Sequence, residues 1–524
     1  MEPVSAIAER LARLEQELAQ VRARLARLER REDAPERSTA PAAPPEPLVG
    51  DRWRGVPALA GRSCLAMGGA FVFRSLTESG AFSPALGVAL GSAYALAWLI
   101  LADRAAARGL QLSGAFHALV SALIVFPLLF EATTRFALLP PVVAAMALGA
   151  VTAAGLAVAW RRSFHTVAWI TESAALAVAV LLLFRSHAVL PFTGYLLALA
   201  VASLVLAYRR GWRGQRWLVA LALDAVVLLV GALRLVGEAP PDWLTPGAVL
   251  TAQIGLAAVY LGAFTLRLLF QGRGVTLFAV TQTVLVVLVG FEAALRVAAP
   301  APRQLLAAAA LGFALLLHAV LARRSERRYG HGAAVGYFAS LATFLAAESV
   351  RVLAAPALFP LVWGVAAAAL AGLALAAARP ILELHASLLA VGAAMASGLL
   401  GDAARALLAP AVRFPALWPL EVEMTLALVV LTAVMLELAG RGEPAAGRIA
   451  GVARVVALAT ALVAAGGWIV ERCAPLVAGA AEGLAAGRLA VLRSAVLAVA
   501  AIALAAGSAT GARVEWRRHT TASA

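Results

Sequence analysis

The feature that most constrains this chain is a long succession of apolar runs between residues 55 and 507. Runs of about 20 residues cross a bilayer as helices, because in lipid only a helix or a closed barrel satisfies every backbone polar group. We predict sixteen spans, within a range of fourteen to seventeen: 55–74, 84–102, 113–130, 136–160, 166–184, 188–208, 217–236, 248–270, 275–298, 304–322, 333–354, 357–378, 381–409, 416–439, 449–471 and 489–507. The expected fold is an all-α polytopic membrane helix bundle of about eight tandem helix hairpins.

Composition narrows the functional classes. The chain is 62% hydrophobic and 14% charged, whereas soluble domains carry roughly 25% charged residues. No connection is long enough to hold a separate catalytic domain, so an enzyme with a soluble catalytic domain is excluded. A membrane-embedded enzyme is the less favoured class and stays open. No cofactor or metal motif is present, and none is expected to bind.

The net charge of +15 comes from arginines that punctuate the apolar runs. Basic residues in short loops stay cytoplasmic, so these arginines predict topology and not a nucleic-acid partner. They cluster after even-numbered spans, at Arg104, Arg108, Arg161, Arg162, Arg209, Arg210, Arg213, Arg216, Arg273, Arg323, Arg324, Arg327, Arg328, Arg379, Arg441 and Arg448. We therefore expect a multi-pass protein of the bacterial inner membrane with a cytoplasmic N-terminus and a cytoplasmic tail at 511–524.

Residues 1–33 have the heptad pattern of a cytoplasmic coiled coil. The apolar seam follows steps of three and four: Val4, Ile7, Leu11, Leu14, Leu18, Val21, Leu25 and Leu28. In a parallel pair, the flanking charges match as Arg10 with Glu15, Glu17 with Arg22, and Arg24 with Glu29. This order favours a homo-oligomer or a coiled-coil partner, and the alternative is a single amphipathic helix lying on the bilayer.

A Pro-rich linker, 34–50, separates the coiled coil from the transmembrane domain, 51–510. Its five prolines and lack of apolar periodicity are typical of a stiff, extended segment. The domain order is thus coiled coil, linker, transmembrane domain and tail.

An acidic residue, an Arg three or four positions later and then a Pro recur at the ends of odd-numbered spans. The strict copies are Glu131/Arg135/Pro140, Glu292/Arg296/Pro300, Glu348/Arg351/Pro356 and Asp402/Arg405/Pro410, at successive distances of 161, 56 and 54 residues. Residues at these spacings share a helix face and pair. We expect the pairs to end the spans and hold neighbouring hairpins together; alternatively, they line an outward-facing groove that binds an anionic or zwitterionic ligand.

Glu172 and Asp224 lie inside predicted spans with no Arg within one helical turn. Each must therefore find a partner on another helix, face water or be protonated. Candidate partners are Arg62, Glu421, Glu423 and Arg454. Function and structural hydrogen bonding between helices remain equally open for both carboxyl groups.

The first hairpin, 61–109, carries the pattern Gly68, Gly69, Gly80, Pro84, Gly87 and Gly91 after a coiled coil and a Pro-rich linker. In this order of parts the chain resembles a bacterial family of multi-spanning membrane proteins of unknown function. The resemblance covers roughly the first 110 residues. It implies a membrane location and no established activity.

Two functions are compatible with these features. The first is an envelope-associated scaffold or assembly factor that oligomerises through its coiled coil. The second is a transporter or membrane-embedded transferase acting on a lipid or envelope intermediate through Glu172, Asp224 and the outer arginines. Apart from the lipid bilayer, the sequence identifies no ligand.

Overall fold

The computed structural model describes residues 17, 19, 56–236, 241–325, 332–377, 379–408, 418–442, 448–478 and 487–505. The chain divides into two units, Met1–Gly68 and Gly69–Ala524, and the side-chain contacts reported below lie within the second. The predicted coiled coil, linker and tail fall outside the described residues, except for the helical positions 17 and 19. They stay predictions.

Seventeen helices and no strand form within the described ranges. They are α1 (Val56–Glu78), α2 (Pro84–Ala107), α3 (Gln111–Thr134), α4 (Pro141–Arg162), α5 (His165–Ser186), α6 (Val189–Arg209), α7 (Arg213–Leu235), α8 (Pro246–Phe270), α9 (Leu277–Val297), α10 (Pro300–Ser325), α11 (Gly332–Leu353), α12 (Phe359–Ala377), α13 (Pro380–Ala396), α14 (Leu399–Leu408), α15 (Leu420–Gly442), α16 (Arg448–Ala478) and α17 (Gly487–Ala505). Helices α8 and α9 contain π-helical turns at Thr265–Phe270 and Val286–Glu292.

Fourteen of the described helices are long and apolar enough to cross a membrane, and α13 with α14 makes fifteen if that bent pair is one span. The prediction of an all-α, multi-spanning protein is confirmed for the described residues. Their number falls within the predicted range. Each predicted span overlaps one helix, or the α13/α14 pair. Helix α1, at the first predicted span, is not among the fourteen.

The predicted span 381–409 consists of two helices and not of one continuous helix. The chain bends by 69° between α13 and α14. Gly398, between the two helices, has a φ of +80°, which glycine adopts without steric cost. The Ser397 hydroxyl accepts a hydrogen bond from the backbone N–H of Leu399, at 3.4 Å, so the side chain caps the new helix in place of a continuing turn.

Proline and hydroxyl side chains fix several helix starts. Ser83 accepts a hydrogen bond from the backbone N–H of Leu86 at 3.3 Å, and Pro84 follows at the first helical position. Proline suits this position because its missing N–H would have no partner there. Pro300, which closes one copy of the recurring pattern in the sequence, likewise opens α10.

Consecutive helices pack in pairs across short connections. Examples are α2 against α3, α6 against α7, α10 against α11 and α12 against α13. Helices two apart in the chain also touch, as α3 does with α5 and α4 does with α6. A hairpin repeat predicts such packing, but the repeat itself stays a prediction.

Large apolar side chains cover much of the outer surface of these helices. Leu305 is 74% exposed, Val491 70% and Ile502 69%. Exposed apolar area on this scale is rare on soluble monomers, whereas lipid tails solvate it well. The described bundle is therefore built to lie in a bilayer.

Candidate functional site

One group of charged residues joins the C-terminal ends of α1 and α3. Arg74 lies 3.1 Å from Glu78 on its own helix and 2.9 Å from Glu131 on α3. Arg135, just after α3, donates to Glu78 at 2.5 Å. Each acid therefore contacts an Arg of the other segment, and the two helix ends are held together by alternating charges.

A second group joins the C-terminal ends of α9 and α11. Arg296 donates to Glu292 one helical turn away, at 3.0 and 3.1 Å. Arg351 donates to Glu348 at 2.5 Å and to both oxygens of Glu292 at 3.0 and 3.2 Å. Glu292 thus bridges two guanidinium groups from two helices, and the four charges sum to zero.

The fourth recurring pair, Asp402 and Arg405, stays within one helix. Arg405 donates to Asp402 on α14, and the Arg405 side chain is 73% exposed. Glu423 of α15, considered above as a partner for the isolated carboxyl groups, accepts instead from Arg472 of α16. The structure therefore brings together six of the predicted site residues in two clusters, Glu131 and Arg135 in the first and Glu292, Arg296, Glu348 and Arg351 in the second, and leaves the Asp402 pair by itself.

Two further ion pairs join helices outside these clusters, and the sequence reasoning missed both. Asp103 of α2 accepts from Arg162 at the C-terminal end of α4, at 2.8 and 3.1 Å. Glu383 of α13 accepts two hydrogen bonds from Arg454 of α16, at 2.6 and 2.9 Å. Arg454 is therefore engaged by Glu383, and its proposed pairing with Glu172 or Asp224 is wrong.

Glu172 lies in the middle of α5 and is 0% exposed. Neither of its carboxyl oxygens has a hydrogen-bond partner among the described residues. The described structure therefore encloses Glu172 completely among helix contacts.

Asp224 of α7 is 4% exposed, and Gln282 of α9 donates to both of its oxygens at 2.8 Å. The partner is an uncharged side chain 58 residues away, which local sequence patterns do not reveal. Asp224 and Glu172 each lie in helix contacts of their own. The structure does not join them in one site.

A cavity of about 720 Å³ lies between α9, α11, α12 and α13. Its walls are mostly apolar, and its polar side chains are Thr283, Tyr337, Ser340, Thr343, Glu348, Trp363 and His385. The volume is within the usual range of ligand pockets, which combine apolar walls with a few convergent polar groups. Sequence reasoning singled out Glu348 but missed the cavity.

His385 is the buried polar centre of this cavity. It is 4% exposed, and its ring nitrogens lie 2.9 Å from the Ser340 hydroxyl and 3.5 Å from the Thr343 hydroxyl. Tyr337 and Thr283 share a second hydrogen bond between α11 and α9. No group of three His, Cys, Asp or Glu side chains suited to a metal occurs among the described residues.

The cavity and the α9/α11 charges form one continuous feature. Glu348 lines the cavity and is paired with Arg351, which contacts Glu292 one turn beyond the lining residue Leu288. The arrangement offers an apolar chamber with a charged end. This is the candidate functional site of the described structure.

Comparison with known proteins adds no name to this site. No protein-family model, no curated protein and no solved structure matches this chain. The resemblance of residues 61–109 to a membrane family of unknown function therefore stays a prediction. The apolar helices alone indicate the class of this chain, which is that of multi-pass membrane proteins.

Proposed function

We propose that this chain is a scaffold or assembly factor of the bacterial inner membrane, whose N-terminal coiled coil gathers copies of the chain or recruits a partner. The heptad seam and the matched flanking charges of residues 1–33 support the interaction role. The membrane domain then serves as an anchor. Its N-terminus faces the cytoplasm in this proposal because the arginine-rich connections do.

The observation that carries the proposal is the use made of ionisable side chains within the bundle. Charges in membrane proteins mark transport paths when they face water-filled cavities. Here Glu172 is fully buried, and Asp224 is hydrogen-bonded to Gln282. The two clusters of charged residues, at the ends of α1 and α3 and of α9 and α11, connect these helix ends to one another. This pattern favours a rigid anchor over a transporter that works through these carboxyl groups.

Neutral substitutions of the two buried acids test this distinction. We expect Glu172→Gln with Asp224→Asn to restore normal growth of a cell lacking the native gene, while deletion of residues 1–33 does not. A transporter or transferase that uses the two acids would give the reverse pattern. Membrane levels of each variant, measured by immunoblot, serve as the control for folding.

The contacts of the same two acids also predict how their substitution changes the stability of the protein. Glu172→Gln should leave the free energy of unfolding in detergent about unchanged, because it replaces one buried polar group without a partner by another of the same shape. Asp224→Ala should lower it by about 1–3 kcal/mol, since the Gln282 amide loses its acceptor. Titration with denaturing detergent measures both, and a large loss in Glu172→Gln would contradict the sealed, unpaired site.

A parallel coiled coil also predicts that cysteines on its seam cross-link two copies of the chain. With Cys64 and Cys473 replaced by Ser, a Leu18→Cys variant should form a disulfide-linked dimer under mild oxidation, since Leu18 is on the predicted seam. Arg13→Cys, at an outward heptad position, is the matched control. A Leu18→Cys protein that stays monomeric in native membranes would reject homo-oligomerisation through this seam.

A further inference from the structure

The mouth of the cavity between α9, α11, α12 and α13 is made of apolar side chains that face outward. Val280, Val284 and Leu288 of α9 are 43%, 53% and 52% exposed, Phe344 of α11 is 38% exposed, and Leu388 of α13 is 58% exposed. In a bilayer such a rim contacts lipid tails. An occupant therefore enters from the membrane and carries an apolar chain.

The polarity of the lining changes along α11. Ala333 and Gly336 line one end, Ser340 and Thr343 the middle, and Glu348 the other end. Ala333 and Glu348 are about 22 Å apart along the helix, at about 1.5 Å per residue. This length is more than half of a hydrocarbon core of about 30 Å. The lining thus suits a molecule with an apolar tail, a hydrogen-bonding middle and a charged end.

The charged end fits a head group that carries both signs. Glu348 presents its carboxylate to the cavity, while Arg296 and Arg351 share Glu292, and the Arg296 side chain is 66% exposed. A primary amine donates hydrogen bonds to a carboxylate, and a phosphate accepts them from guanidinium groups. Arg351 binds one carboxylate oxygen of Glu348, at 2.5 Å, so the other oxygen can accept from a head-group amine. A choline has no N–H to donate there, and a purely anionic head has no ammonium group to place there.

We propose that this cavity binds a diacyl phospholipid with a primary-amine head group, with the amine at Glu348, the phosphate at Arg296 and Arg351, and one acyl chain along α9 and α11. The ester carbonyls accept from the hydroxyls of Ser340 and Thr343. This site is independent of the scaffold role and of the coiled coil.

The test uses the full chain purified from membranes and placed in nanodiscs of phosphatidylethanolamine and phosphatidylglycerol. The lipid that stays bound after transfer to detergent is quantified by mass spectrometry. We expect phosphatidylethanolamine to be enriched about ten-fold over its share of the bilayer, as one charge-assisted hydrogen bond allows. Bound lipid in the ratio of the bilayer, or enriched phosphatidylglycerol, overturns the proposal.

Two variants locate the site. At Gly336 an added Cβ meets only Ile381 at 3.8 Å, so Gly336→Leu fills the cavity without a backbone clash and should abolish the enrichment. Gly312→Leu on α10 adds the same side chain where nothing lies within 4 Å, and should retain it. Glu348→Gln should keep bound lipid but lose the preference for the amine; unchanged enrichment in either cavity variant overturns the proposal.

A second measurement keeps the proposal testable if Gly336→Leu fails to fold. Trp363 lines the cavity, so phosphatidylethanolamine with brominated acyl chains should quench its fluorescence. With this lipid, the fluorescence of the wild type should be quenched more than that of Trp363→Phe. With brominated phosphatidylglycerol in its place, the two proteins should be quenched equally. Equal quenching of the two proteins by the brominated amine lipid contradicts an acyl chain in the cavity.

Discussion

Glu383→Ala is expected to lower the free energy of unfolding by about 3–5 kcal/mol, because it leaves the Arg454 guanidinium buried without its partner. The Glu383 side chain is 3% exposed and that of Arg454 is 15% exposed. The two hydrogen bonds of the pair connect α13 to α16. Gly440 of α15 contributes by its lack of a side chain, since a Cβ there would overlap the guanidinium.

Titration with denaturing detergent measures this loss, and Asp402→Ala is the matched control. Asp402 also pairs with an Arg, but Arg405 is 73% exposed, so the control should lose only about 0–1 kcal/mol. Equal and small losses in both variants would show that the Glu383 pair is as weak as a surface pair. The double variant Glu383→Leu with Arg454→Leu should recover most of the stability, because no charge is then left buried.

Gly467→Leu should have the second large effect. A Cβ at Gly467 of α16 would overlap the Cα of Ala403 on α14 and lie 3.0 Å from its carbonyl oxygen. Backbone atoms cannot rotate away, so α14 and α16 must separate. Overpacking of this kind costs about 1–3 kcal/mol and occasionally more.

Gly451→Leu on the same helix is the control, since an added Cβ there meets nothing within 4 Å. We expect it to leave the unfolding midpoint in detergent unchanged, while Gly467→Leu shifts it to a lower denaturant concentration. Similar midpoints for the two variants would mean that α14 and α16 are not in close contact. The comparison also tests the bend at Gly398, which places α14 against α16.

Part of this architecture follows from local sequence. Runs of apolar residues predict the helices because lipid leaves the backbone no other partner. A spacing of four residues places Glu292 and Arg296 on one helix face. The bend at Gly398 escapes this reasoning, because a hydropathy pattern continues unbroken across it.

The contacts between helices could not be predicted in the same way. In a membrane helix both the packed face and the lipid face are apolar, so periodicity does not separate them. Gln282 is 58 residues from Asp224, and Arg454 is 71 residues from Glu383. His385 escaped attention because it becomes part of a cavity only when α11 and α13 pack together.

The central claim is that these helices cross a bilayer, and the two ends of α7 test it most directly. Arg213 and Asp242 are exposed and lie at opposite ends of α7. Each is replaced by a single cysteine in a protein whose native Cys64 and Cys473 are changed to Ser. A membrane-impermeant maleimide should label Asp242→Cys in intact cells and Arg213→Cys only in inside-out vesicles. Labelling of both positions from the same side of the membrane would contradict the account.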